Sequence, residues 1–175
     1  MDRLWAGWRM AYIQQGTLKR ERRESCLFCS RGRLRPGPGN LVLASTPDVV
    51  VMMNLYPYNV GHVMVAPRRH RGSLARIGRE EAGELNEWLG RVVRALQRAY
   101  RPHGFNVGLN LGRVAGAGVL GHVHWHVVPR WKGDTNFMPV TAETKVVPET
   151  LGRTYRRIRR ALDAPAPRVR GGGPR

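Results

Sequence analysis

Residues 121–128 read Gly-His-Val-His-Trp-His-Val-Val, with histidine at every second position. A period of two belongs to an extended strand, whose successive side chains point to opposite faces. A helix would scatter these three rings around its axis. The spacing therefore predicts a strand over 119–128, with His122, His124 and His126 on one face and Val123, Trp125 and Val127 packed on the other. Same-face Cα atoms would stand roughly 6.6 Å apart. Each imidazole carries polar nitrogens that need partners, so three in a row are poor core filler. Metal ligation by neutral imidazoles is one chemistry that wants such a row. Attack by a ring nitrogen, with a second histidine offsetting charge beside it, is another. A merely solvated row is the third reading. The Gly- and Ala-rich stretch before it, Gly112 to Gly121, lets backbone N–H groups approach an anion closely.

The rest of the chain supplies a sheet and a helix to hold this strand. Short apolar runs at Leu41–Ala44, Val49–Met53 and His62–Ala66 are separated by Pro- and Asn-containing turns and read as a strand meander. Over 79–100 the period changes. Leu85, Trp88, Leu89, Val92, Val93, Leu96 and Tyr100 recur at three- and four-residue steps, which predicts an amphipathic helix ended by Pro102. Its acidic start (Glu80, Glu81, Glu84) and basic end (Arg94, Arg98, Arg101) suit the helix dipole. Residues 104–110 return to strand character. Residues 17–24 and 31–40 read as loops, and Glu149–Leu162 as a short basic helix. The order of strands, helix, strands predicts an α+β fold: an antiparallel sheet of about five strands with one long helix packed on it. The expected organisation is an N-terminal arm (1–25), a main domain (26–140), a partly helical extension (141–163) and a disordered basic tail (164–175).

The chain has 175 residues and a formal net charge of +18, carried by 27 arginines and only 3 lysines against 12 acidic residues. Such a balance favours anionic partners, although arginines on a solvated helix face, such as Arg156, Arg157, Arg159 and Arg160, satisfy it equally well. Nucleic acid is not the expected partner. No run of about 18 apolar residues occurs, and the N-terminal residues lack an apolar signal segment, so no membrane partner and a cytoplasmic location are expected. Cys26 and Cys29 are the two cysteines, which excludes a disulfide scaffold. Their C-x-x-C spacing fits half a zinc site, a redox pair or two buried thiols.

The alternating histidines followed by Val-Val-Pro-Arg resemble the signature of the histidine triad (HIT) superfamily of nucleotide-binding hydrolases and transferases. The resemblance runs from about Cys26 to Arg130 and includes 54–65, 67–70 and 104–110. The flanks, Leu4–Met10 and Trp131–Pro139, resemble the bacterial diadenosine tetraphosphate (Ap4A) phosphorylase branch. The resemblance implies that His124 attacks the α-phosphorus of a nucleotide and forms a nucleotidyl-histidine intermediate. His126 would hydrogen-bond the phosphate oxygens, and His122 would orient the row or bind metal. Asn54 matches a ribose-binding position, His62 a position beside the site, and Asn110 a contact to phosphate or leaving group. Some bacterial relatives bind zinc through residues that match Cys26, Cys29, His70 and His122. In one place the chain departs from the pattern: where many members carry Gln before the triad, it has Ala115-Gly116-Ala117-Gly118-Val119. Backbone N–H groups, with Gly116 and Gly118 as candidates, would hold phosphate there. The implied function is phosphorolysis of Ap4A to ADP and ATP, with inorganic phosphate as second substrate, Mg2+ arriving with the polyphosphate, and a homodimer or larger homo-oligomer as the assembly. A HIT hydrolase of dinucleoside polyphosphates or phosphoramidates is the first alternative. A nucleotide- or RNA-binding module is the second.

Overall fold

The computed structural model describes residues 26–134 and 149–165. The expected arm (1–25), residues 135–148 and the tail from 166 onward lie outside the described residues, and with them Phe137 and most of the phosphorylase-like flanks.

Five strands form one antiparallel sheet: β1 Val42–Ser45, β2 Val49–Met53, β3 Val63–Pro67, β4 Gly104–Leu109 and β5 Trp125–Arg130, in the order β1-β2-β3-β5-β4. Thr46 makes the β1–β2 turn, its Oγ1 accepting the N–H of Val49 at 2.9 Å. Every residue of β2 and β3 is buried, because both faces of the sheet are covered. On one face Val49, Val51, Met53, Val63, Val65 and Val127 meet the helices. On the other, Val50, Met52, Met64 and Ala66 meet Cys26, Phe28 and Cys29. A central strand buried on both sides reads as an unbroken apolar run, which is how β2 appears in the sequence.

Helix α1 spans Leu27–Arg31, α2 Arg79–Tyr100 and α3 Leu151–Asp163, with a 3-10 turn at Leu74–Arg76. Helix α2 has the predicted bounds and buries Leu85, Trp88, Val92, Ala95 and Leu96. Burial of each large side chain stabilises by roughly 1.5–3 kcal/mol. It ends where Arg101 turns left-handed at φ 46° and donates its N–H to Gln97, just before Pro102. Helix α2 is the long helix expected on the sheet, and α3 falls within the predicted basic helical stretch 149–162. Helix α3 joins α2 on the same face, where Tyr155 Oη donates to Val42 O at 3.0 Å and Ile158 is fully buried. Among the described residues, no helix is long and apolar enough to cross a membrane.

The predicted strand 119–128 is also corrected. The ladder starts at Trp125, so His122 and His124 precede it. The N–H of Val123 is taken by Arg71 O at 2.7 Å, and the Pro67 carbonyl by the His122 ring. Those bonds replace the ladder that a strand would need. Side-chain alternation nevertheless persists at Trp125 and Val127, both of which join the helical core.

Candidate active site

Helix α1 is one turn longer than nothing, yet it decides the first cluster. Cys26 caps it and Cys29 lies three residues on, so both sulfurs leave the helix on one side. His122 Nδ1 stands 3.2 Å from Cys26 Sγ and 3.7 Å from Cys29 Sγ, and His70 Nδ1 stands 3.4 Å from Cys29 Sγ. All four candidate ligand atoms lie within 4.8 Å of one another. A tetrahedral zinc with bonds near 2.1 Å to nitrogen and 2.3 Å to sulfur has ligand–ligand edges of about 3.4–3.8 Å. His122 Nε2 donates to Pro67 O at 2.7 Å, which puts the ring proton on Nε2 and leaves the Nδ1 lone pair facing the thiols. Burial pushes the Cys26 thiol up to about 11 and His122 down to about 4. A divalent cation reverses the first effect by stabilising thiolate. These residues fit zinc, and with four protein ligands they leave no position open for chemistry.

The second cluster is made of His124, His126 and His62. The Nδ1 of His124 stands 2.9 Å from the carbonyl oxygen of His122, which can only accept. The proton is therefore on Nδ1, and Nε2 carries the free lone pair. Burial lowers the pKa of His124, so the ring is neutral near pH 7. Phe28 of α1 lies against it at 4.8 Å between ring centroids.

His126 is held in the opposite tautomer. The backbone N–H of Tyr58 donates to His62 Nδ1 at 3.0 Å, so the His62 proton is on Nε2. That nitrogen stands 2.9 Å from His126 Nδ1 and donates to it. His126 must then carry its proton on Nε2, a buried atom with no partner of its own. The two rings are T-shaped with centroids 4.9 Å apart. A lone pair on one histidine thus stands beside an N–H donor on the next, and the unpartnered donor suits an anionic oxygen. Tyr58 covers the pair, its ring 4.7 Å from His62 and 5.6 Å from His126. Gly61 sets the approach of His62. It sits at φ +79°, and a Cβ there would meet Leu96 and Pro129 at 3.2–3.3 Å.

The remaining predicted residues surround this core unequally. Asn54 is half-buried; its Oδ1 accepts the Tyr56 N–H at 2.9 Å, and its Nδ2 lies 3.4 Å from His62 Nδ1. Asn110 braces the Gly-rich loop through Nδ2 to Gly116 O at 3.3 Å. The N–H of Gly116 donates to Arg113 O at 2.9 Å, so that group closes the loop on itself instead of facing outward. Gly118 is half-buried at the end of the loop. Trp131 packs edge-on against Tyr100, a structural contact. Below the strand, Asp134 accepts from Asn59 at 2.9 Å and from Arg130 at 2.6 Å, tying the end of β5 to the loop that carries Tyr58. An apolar hollow of about 280 Å3 lined by Leu74, Ile77, Leu85 and Trp125 lies on the helical side of the sheet, away from the histidines.

Sequence reasoning missed the Tyr58–His62–His126 chain, although it flagged His62. Its members are brought together across 64 residues, and no local pattern reports such a pairing. Phe28 and the helical turn around the cysteines were also missed.

A pairwise sheet, a metal-type cluster and two histidines in opposed tautomers define a histidine triad protein. The HIT domain family model matches residues 38–133, and the chain belongs to that family. It is 41% identical over 160 residues to an AP-4-A phosphorylase from Mycobacterium tuberculosis, covering 89% of this chain and 82% of that protein. Among solved structures, a histidine triad nucleotide-binding protein from Sulfolobus tokodaii superposes with a TM-score of 0.63 at 24% identity, covering 78% of this chain and 91% of that one. A Zn-bound histidine triad family protein from Mycobacterium smegmatis gives 0.62 at 23% identity, covering 81% and 95%.

Burial also holds His126 down to about 4, with a smaller contribution from His124. A histidine whose folded pKa lies below its unfolded value near 6.5 takes up its proton more readily when unfolded. Its contribution is complete above about pH 6.5 and is lost as pH falls toward 4. Between pH 7.5 and 5 the chain should lose about 2 kcal/mol from this group. Urea unfolding at the two pH values checks this, and His126→Gln should flatten the decline.

Proposed function

We propose that the chain is a nucleotidyltransferase that cleaves Ap4A-like dinucleoside polyphosphates by phosphorolysis through His124. The observation that carries this reading is the pairing of a free His124 Nε2 lone pair with the unpartnered Nε2–H of His126. His124 Nε2 attacks the α-phosphorus, the bond to the bridging oxygen breaks, and ATP leaves. His126 donates to the α-phosphate oxygens, where negative charge gathers in the transition state. Inorganic phosphate then attacks the nucleotidyl-histidine phosphorus, ADP leaves, and His124 regains its lone pair. Imidazole serves both steps because it attacks well when neutral and leaves well near neutral pH.

The likeness to the mycobacterial AP-4-A phosphorylase supports the substrate class. Asn54, beside His62, is the proposed ribose contact; Asn110 and the backbone of Gly118 are the proposed contacts to phosphate. The absence of a Gln side chain in 115–119 removes one group that could handle a water nucleophile, which favours phosphate. Zinc on Cys26, Cys29, His70 and His122 has a structural role: it ties α1 to the peptide that orients His124. Mg2+ comes with the substrate. The exposed edge of β4, with Asn106, Val107 and Gly108 facing solvent, supports a homodimer, since an open strand edge is a template for pairing.

The test is to incubate the protein with Ap4A, with and without inorganic phosphate, and to separate the products by anion exchange. ADP and ATP should form only with phosphate. Phosphate-independent AMP would assign the chain to the hydrolases of the family.

A further inference from the structure

The outer surface of α2 and α3 lies across the sheet from the histidines and is not used by the proposed reaction. Residues 91–101 and 151–163 hold nine arginines and one acid, Asp163, which pairs with Arg159. Some of these arginines have structural work. Arg91 stacks on Trp88, Arg98 donates to Ala161 O, and Arg157 lies over Tyr100 and pairs with Glu149. Five others, Arg94, Arg101, Arg153, Arg156 and Arg160, are exposed and form no ion pair among the described residues.

Their spacing makes a surface. Arg153, Arg156 and Arg160 recur at steps of three and four, on the side of α3 opposite the buried Thr154, Tyr155 and Ile158. Arg94 lies on the exposed side of α2, and Arg101 is the exposed left-handed residue that caps its C-terminal end. The Arg98–Ala161 bond joins the two helices between these stripes. The sequence alone reads these residues as a solvated face. Solvation does not explain an arginine-rich face whose one acid within these stretches, Asp163, is already paired with Arg159.

We propose that this face binds the phosphodiester backbone of single-stranded RNA. Arginine is the side chain suited to phosphate, through its planar fork of donors. A membrane surface fits poorly: none of the exposed large apolar residues falls in either stretch, and interfacial helices need an apolar face to insert. The arginines are spread over two neighbouring helices, a breadth that a flexible single strand can follow with its backbone. The inference is independent of the reaction proposed above.

The probe is a fluorescein-labelled 20-nucleotide RNA titrated with the full chain at several KCl concentrations and read by anisotropy. Binding in the micromolar range is expected near 0.1 M salt. Arg153→Glu, Arg156→Glu and Arg160→Glu together should weaken it at least about tenfold and lower the log–log salt slope by about 2, at roughly 0.7 per lost contact. A control with the same change of charge, Arg33→Glu, Arg35→Glu and Arg76→Glu, lies elsewhere on the exposed surface and should weaken binding less than about threefold. Circular dichroism and thermal melting establish that both variants remain folded. Equal weakening by the two sets would overturn the proposal, because net charge alone would then account for binding. Tighter binding to phosphatidylserine vesicles or to duplex DNA than to the RNA would overturn it as well, as would no binding at 0.05 M KCl.

Discussion

His124→Asn should abolish turnover of Ap4A, with a loss of about 10⁴- to 10⁶-fold in kcat, while nucleotide affinity changes by less than about fivefold. Asparagine keeps a polar group near the His122 carbonyl but offers no lone pair basic enough to attack phosphorus. The covalent step disappears, whereas the surrounding contacts remain. Rapid-quench experiments with radiolabelled substrate should trap a nucleotidyl-protein in the parent and none in the variant. His62→Phe makes a finer test of the same geometry. It removes the donor that fixes His126 with its proton on Nε2, so the ring becomes free to present a lone pair, instead of an N–H, to the phosphate. A fall of about 10²-fold in kcat with little change in KM is expected. Full activity in His124→Asn would end the nucleotidyl-histidine reading; full activity in His62→Phe would leave that reading standing and remove the tautomer argument.

The second large effect concerns the metal cluster. The purified chain should contain one zinc per chain by elemental analysis, and Cys26→Ala with Cys29→Ala should contain none. Removing the metal leaves two buried sulfurs and two imidazoles facing one another around an unfilled centre. A loss of about 3–5 kcal/mol is expected, at the scale set by breaking a buried charged cluster. For a domain of this size that corresponds to a fall in Tm of roughly 10–15 °C. The consequence reaches further than stability, because the carbonyl that orients His124 belongs to His122, itself one of the four candidate ligands. Turnover should therefore decline in the zinc-free chain even below its melting temperature. A metal-free chain with unchanged Tm would show that the four residues pack as inert core.

The sequence made the central architecture legible where one physical signal dominates. The period of Leu85, Trp88, Val92 and Leu96 between acidic and basic ends, with Pro102 beyond, located α2 to the residue. Val49–Met53 is bounded by turn chemistry on both sides and appears as β2 unchanged. Histidine alternation marked the stretch that carries the candidate site. Other features depended on distant partners. Helix α1 is five residues long, too short for a period to emerge. The strand at the triad begins late because Arg71 and Pro67, more than 50 residues away, take part in bonds that a local pattern cannot report. The docking of α3 rests on Tyr155 reaching a backbone carbonyl 113 residues earlier. Tautomers lie deeper still. Composition and spacing name four histidines, but only the direction of three hydrogen bonds assigns which ring presents a lone pair and which an N–H.

The double burial of β2 and β3 has a consequence for how such a chain can change over time. These strands form a partition with the candidate site on one side and a helical exterior on the other. A substitution on the outer side of α2 or α3 leaves the packing around the histidines untouched, and a change around Phe28 leaves the helical exterior untouched. Selection can act on the two sides as nearly separate traits, so lineages that share one reaction are free to diverge in their companions.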